Sequence, residues 1–311
     1  MRTTIRRSFV PLLALVALFS TPSYPADELK VVATTADLAA VARAVGGDDV
    51  EVTALARPAE DPHFVDAKPS FIRVVNQADV LIEGGASLEA GWLPPLLEGA
   101  RNPRISAGAP GRVFAAQGLA LLEVATQLDR SMGDVHPQGN PHFMLDPVAA
   151  KTVAESIRTA FCAVDRTRCS DYEAGLRAFR EAVDAALADW QATLAPLRGT
   201  KVVTYHKDFD YFFQRFGMQV VDTLEPKPGI PPSPTHLTEL VPKMRAEQVR
   251  LIVIEPFRER GNPDFVAQHT GARVLVLPAM PDGQDRPDYL ALIDYDVRQV
   301  AAALGQTGAT R

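Results

Sequence analysis

Three of the six histidines stand where a folded chain could bring them onto one ion. His63 follows Glu60-Asp61-Pro62, His142 opens the run His-Phe-Met-Leu-Asp-Pro, and His206 directly follows the apolar run Lys201 to Tyr205. Neutral imidazole is a good donor to zinc and neighbouring divalent ions, and three imidazoles make a strong partial shell. Their spacing matches no local zinc signature such as H-E-x-x-H. The residues alone therefore leave two meanings open, a shared ion or three ordinary polar loop positions. The other histidines read differently. His136 is a solvated loop residue, with transient capture of an ion as its alternative. His236 follows Ser233-Pro234-Thr235 and serves a helix start. His269 reads as an exposed helix end, where a cation suits the helix dipole. Glu60 and Asp61 read as turn residues or as supports behind a ligand.

The elements that must position these side chains alternate between strand and helix. Leu29 to Thr34, Val50 to Leu55 and Asp79 to Glu83 read as strands. Asp37 to Val45 and Phe71 to Gln77 read as helices between them, the second capped by Ser70. The rhythm returns in strands at Lys201–Thr204, Gln219–Val221, Leu251–Ile254 and Arg273–Leu277, with a helix at Leu237–Glu247. Such alternation implies parallel sheets with crossover helices. Ligands of open parallel sheets gather at the carboxyl ends of the strands, which is where His63 and His206 fall. Between the two sets, Leu176, Phe179, Val183, Ala186, Leu187, Trp190 and Leu194 recur at helical spacing. They predict one rigid helix over 170–198, started by Ser170 and about 42 Å long at 1.5 Å per residue. The expected fold is α/β, two lobes with parallel sheets joined by that helix: residues 27–169, the bridge 170–198, and 199–311.

Bulk properties narrow the setting. Residues 1–26 carry Arg2, Arg6 and Arg7, then an apolar run from Phe9 to Phe19, then small and turn-forming residues. This is the layout of a cleaved secretory signal, and the run is short for a membrane span. No cysteine lies near the junction, so a lipid anchor is not expected. Loss of this segment removes three arginines and no acid, taking the net charge from −6 to −9. An acidic mature chain argues against a nucleic-acid partner, which would want a basic face. Cys162 and Cys169 are the two cysteines. In an oxidising compartment a disulfide is expected, with free thiols or soft metal ligands as alternatives. Gly- and Pro-rich stretches at 58–69, 132–141 and 226–234 mark long loops of the functional kind.

Taken in order, several motifs resemble a known family. Asp61-Pro62-His63, then His142 to Pro147, then a bridging helix, then Tyr205-His206-Lys207-Asp208-Phe209-Asp210-Tyr211-Phe212 with Phe216-Gly217, are similar to the metal-specific substrate-binding proteins of ABC importers. That family includes the periplasmic zinc-uptake receptors. The likeness covers nearly the whole mature chain, and the motifs are specific as an ordered set. It implies a metal in the interlobe cleft, with His63 and His142 from the first lobe and His206 from the second. A carboxylate after a late strand supplies a fourth ligand in the family, but here Pro278 occupies that position. Glu255, directly after the strand Leu251–Ile254, is the expected substitute, with a carboxylate that caps or orients an imidazole as its other reading. Asp282 and water are the alternatives.

The resemblance implies a monomeric periplasmic receptor that captures a divalent ion, zinc before manganese, and delivers it to an ABC importer permease. It implies no catalysis. A secreted zinc hydrolase would also use three histidines with an open position. The sequence carries no H-E-x-x-H, nucleophile elbow or Ser-His-Asp pattern to support one. A metal-stabilised adhesin is the other alternative, and it would unfold without its ion.

Overall fold

The computed structural model describes residues 27–124 and 136–305. The leader segment 1–26 and part of the Gly- and Pro-rich stretch at 132–141 lie outside them. In the first lobe, β1 (Leu29–Ala33), β2 (Val50–Ala54), β3 (Val80–Glu83) and β4 (Arg112–Phe114) form a parallel sheet in the order β2-β1-β3-β4. In the second, β5 (Lys201–Thr204), β6 (Gln219–Thr223), β7 (Leu251–Ile254) and β8 (Arg273–Val276) repeat that order, β6-β5-β7-β8, again all parallel. β3 and β7 are buried along their whole length. Their continuous β-branched runs are what a sheet covered on both faces requires.

Helices α1 (Ala36–Gly46), α2 (Pro69–Gln77), α3 (Leu93–Ala100) and α4 (Pro147–Val164) belong to the first lobe. Helices α6 (Asp210–Arg215), α7 (Pro234–Ala246), α8 (Gly261–Thr270) and α9 (Tyr289–Gly305) belong to the second. Between them runs α5 (Cys169–Leu194), 26 residues long and continued by a 3₁₀ turn at Ala195–Leu197. At 1.5 Å per residue it spans about 39 Å. Tyr172, Leu176, Phe179, Val183, Trp190 and Leu194 form its buried stripe.

Two capping expectations differ from the structure. Ser170 lies inside α5, which begins after Arg168, and Ser70 lies inside α2, which begins after Lys68 with Pro69 in its first turn. Proline suits a first-turn position because the N–H it lacks has no helical partner there. Cys169, pinned by a disulfide to Cys162 at the end of α4, fixes where α5 starts. The bond closes the alternatives of free thiols and of soft metal ligands.

The bridge is packed into both lobes. It lies against α1 and α4 on one side and α9 on the other. Gly175 permits the approach to α1: a Cβ there would sit 2.2 Å from the Val45 carbonyl oxygen. Phe179 meets Tyr289 of α9 at 5.8 Å between ring centres. The Tyr289 hydroxyl in turn donates to the Met144 carbonyl of the first lobe at 2.7 Å. Arg215 of α6 forks onto Asp146, the N-cap of α4, with nitrogen–oxygen distances of 2.7 and 2.6 Å. One hydrophobic core therefore runs from β1 and α1 through α5 to β7 and α9.

Candidate metal centre

The carboxyl ends of both sheets face the cleft, and every side chain of interest sits on a loop that leaves one of them. His63 lies on the loop after β2. Its position is fixed by Trp92, whose indole N–H donates to the Pro62 carbonyl at 2.9 Å, and by Asp61, which accepts from the His63 backbone N–H at 3.0 Å. His142 ends the long connection after β4. Its N–H donates to Asn140 Oδ1 at 2.9 Å, and the Asn140 amide reaches across the cleft to the Lys207 carbonyl. His206 follows β5 directly and is buried.

The three rings form a nearly equilateral triangle. Their centroids are 5.0 Å apart for His63–His142 and 5.3 Å for each of the other two pairs. One ligand atom from each lies within 4.8 Å of the others. Every ring also has a carboxylate behind it. Nδ1 of His63 donates to Asp61 at 2.8 Å, Nδ1 of His142 to Asp208 at 2.8 Å, and Nδ1 of His206 to Glu225 at 2.7 Å. A proton held on Nδ1 leaves Nε2 as a bare donor, which is how metal-binding histidines are oriented. Among the described residues the buried Nε2 of His142 has no hydrogen-bond partner. An orphaned polar atom inside a protein is costly, and an ion at the centre of the triangle would satisfy it.

His136 stands against this group rather than in solvent, which departs from the sequence reading. Its Nε2 is 3.2 Å from Nε2 of His63, and its ring centre is 6.4 Å from that of His142. Two donors at 2.0–2.1 Å on a tetrahedral ion lie about 3.3 Å apart, so the pair is already spaced as neighbouring ligands. Burial, and then the other imidazoles, push the His136 pKa down to about 3, so its ring is neutral. No periodicity marked it; its closeness to His142 in sequence was the only signal.

Glu255 is placed one layer back. It is fully buried directly after β7, but its oxygens are not among the atoms grouped with the three histidines. Its carboxyl faces Arg258 at 3.2 Å and hydrogen-bonds Asp208. Burial, then the Asp208 charge, raises its pKa well above the usual carboxylate range. Burial opposes the charge on Asp208 too, yet His142 and His206 hold that group well below its usual range. The two neighbouring carboxyls are thus pushed in opposite directions, Glu255 toward its neutral form and Asp208 toward its charged form. Asp282 is engaged elsewhere, accepting from the backbone of Gln284 and Arg286 and pairing with the Arg286 side chain. After β8 and Leu277, Pro278 leads into Ala279 and buried Met280.

His236 and His269 lie apart from the cleft group. His236 is in the first turn of α7, its N–H donating to the N-cap Ser233 and its ring bonded to the Thr223 carbonyl. His269, exposed in the last turn of α8, bonds the Phe265 carbonyl.

The family described as the periplasmic component A of the zinc-uptake complex, ZnuA, matches residues 31–303. The chain belongs to this family. It is thus a metal-binding substrate-binding protein of the ABC-transporter type, in a family of transport receptors and not of enzymes. A manganese ABC transporter substrate-binding lipoprotein, PsaA, of Streptococcus anginosus is 23% identical over 310 residues, covering 96% of this chain and 97% of the relative. The iron ABC transporter substrate-binding lipoprotein MtsA of Streptococcus pyogenes serotype M1 is 21% identical, with the same coverage. Among solved structures, a crystal structure of ZnuA superposes with a TM-score of 0.75 at 21% identity, over 89% of this chain and 99% of that one. A manganese-bound periplasmic metal-binding protein from Candidatus Liberibacter asiaticus gives 0.74 at 20% identity, over 89% and 100%. These likenesses establish the two-lobe fold; the relatives' names span manganese, iron and zinc-uptake proteins.

Proposed function

We propose that the protein is an exported, monomeric receptor that captures zinc in the interlobe cleft and delivers it to an ABC importer permease. The observation that carries this reading is the triangle of His63, His142 and His206, each ring backed by a carboxylate at Nδ1 and presenting Nε2 inward. His136 is the fourth donor, and Glu255 supports Asp208 from behind. An all-imidazole set suits zinc, whereas manganese prefers harder oxygen ligands. Among the described residues a cavity of about 320 Å³ adjoins the histidines, lined by His136, His142, His206 and Lys207 among others, and gives an ion a way in.

The test is the metal content and competitive zinc affinity of the mature protein beside a His63→Ala, His142→Ala, His206→Ala triple variant. One tightly held zinc in the parent, lost in a variant that stays folded, is the expected result. No tight metal in the parent, or unchanged affinity in the variant, would overturn the reading.

Acid should release the ion in a defined order. Burial opposes the charge on His206, but the Asp208 and Glu225 carboxylates outweigh it and raise its pKa above 6.5. For His142, burial wins over Asp208 and the pKa is lowered. His206 is thus the first of the two to hold a proton as pH falls. In the apo protein its proton stabilises the fold below pH 6.5, and that contribution is lost as pH rises through the raised value. Zinc must displace the same proton, so affinity should fall by about tenfold per pH unit below that value. Competition titrations from pH 8 to 5.5 should show the decline beginning above pH 6.5. Affinity that stays flat down to pH 6 would contradict this order.

A further inference from the structure

Behind the histidines two of the supporting carboxylates, Asp61 and Glu225, meet one guanidinium directly, and the third, Asp208, lies against Glu255, which meets it as well. Arg258, on the loop after β7, places NH2 3.5 Å from Asp61 Oδ2, NH1 3.3 Å from Glu225 Oε1 and Nε 3.2 Å from Glu255 Oε2. Asp61 holds His63, Glu225 holds His206, and Glu255 bonds Asp208, which holds His142. The relays from His63 and His206 pass through one carboxylate and the relay from His142 through two, and each finishes on a different nitrogen of the same side chain. Asp61 belongs to the first lobe and the other two contacts to the second, so the guanidinium also ties the lobes together at the site.

The side chain is itself held. Its guanidinium lies over the ring of Tyr205 at 4.8 Å, the residue before His206, and over Phe257 at 5.0 Å. It is 18% exposed. A planar fork with donors in fixed directions can serve three acceptors at once; a lysine ammonium is a point charge on a flexible stem and cannot reproduce the geometry.

A permanent cation near a cation-binding cleft is unfavourable by simple Coulomb repulsion. Its presence needs a compensating role, and the contacts supply one. We propose that Arg258 is the positioning residue of the metal site: it locks three histidine–carboxylate pairs from two lobes into one arrangement and so slows release of the ion. This inference rests on the metal-receptor reading.

Two variants separate positioning from charge. Arg258→Lys keeps the charge and loses the fork; Arg258→Met loses both. Partners behind metal ligands typically contribute about 10–100-fold in affinity. Both variants should bind zinc about 10–100-fold more weakly, seen as faster zinc loss to excess chelator. Both should also change the visible absorption of the cobalt-loaded protein, a signature of ligand geometry that a change in fold stability alone would not move. Circular dichroism of the apo forms checks folding, and Arg258→Lys decides if Arg258→Met does not fold. Parental zinc loss and cobalt spectrum in Arg258→Lys, or tighter zinc in Arg258→Met, would overturn the positioning role while leaving the receptor reading intact. A parent without tight zinc would overturn both.

Discussion

Exchange of His142 for alanine should weaken zinc binding by more than about 100-fold, beyond the 10–100-fold typical for loss of a group that only supports a ligand. His142 is the ring whose Nε2 is buried without a partner, and its Nδ1 is fixed by Asp208. Its backbone is held on both sides, by Asn140 before it and by the 3₁₀ turn Phe143–Leu145 after it. The missing nitrogen cannot be replaced by a small shift of the loop. His136→Ala is the informative control. Among the described residues His136 is hydrogen-bonded to His63 and to the Ala86 backbone, and no carboxylate there holds its ring. Its loss should cost about tenfold, at the lower edge of that same range. Competition against a chromophoric chelator measures both. Equal effects of the two substitutions would contradict the division into three built ligands and one added donor.

Trp190→Ala should destabilise the protein by about 3–5 kcal/mol without changing how much zinc a folded molecule holds. Trp190 is among the largest fully buried side chains and lies in the second half of α5. Its indole N–H donates to Asp294 of α9 at 3.1 Å. The substitution opens a void in the core at the contact of bridge and second lobe and leaves the Asp294 oxygen without that donor. It alters no loop that carries an imidazole. Thermal unfolding of the apo protein should therefore shift by roughly 10 °C, on a scale of a few degrees per kcal/mol for a chain of this size. Zinc stoichiometry at 25 °C should stay at the parental level. A large loss of zinc in the folded variant would mean that the bridge transmits to the cleft.

Much of this architecture was legible because its signals are local. The strands at Lys201–Thr204 and Leu251–Ile254 fall where the β-branched runs place them, and the bridge follows its apolar stripe. β4, α3, α4 and α9 were left unread, the last two although their buried residues recur at helical spacing. β4 has only three residues, α3 begins Leu93-Pro94-Pro95, and α4 follows a proline that reads as a stop before it reads as a start. The common strand order of the two lobes left no repeat in the sequence, since topology constrains burial pattern and not residue identity. At the site, the three histidines were read from motifs. Of what backs them only Asp61 was legible, beside its own histidine; Asp208, Glu225 and Arg258 were not, because they acquire meaning only once loops after three different strands meet. Glu255 was read at the right strand end. Whether a carboxylate there faces an ion or another carboxylate is set by a few ångströms of depth, which sequence does not encode.

The shared core through α5 also decides how the molecule melts. Two lobes with separate interiors could unfold one after the other, and an ion between them would protect only the segments it touches. Here the same apolar interior serves β1, α5 and α9, so, beside the clusters confined to each lobe, losing either lobe exposes an interior it shares with the other. An ion bound at the cleft then strengthens the whole polypeptide, by about 4 kcal/mol when free zinc exceeds the dissociation constant a thousandfold. Peptide bonds far from any histidine share in that protection. In a compartment where proteases sample partly opened chains, the loaded receptor would outlast the empty one, and its abundance would itself register the zinc supply.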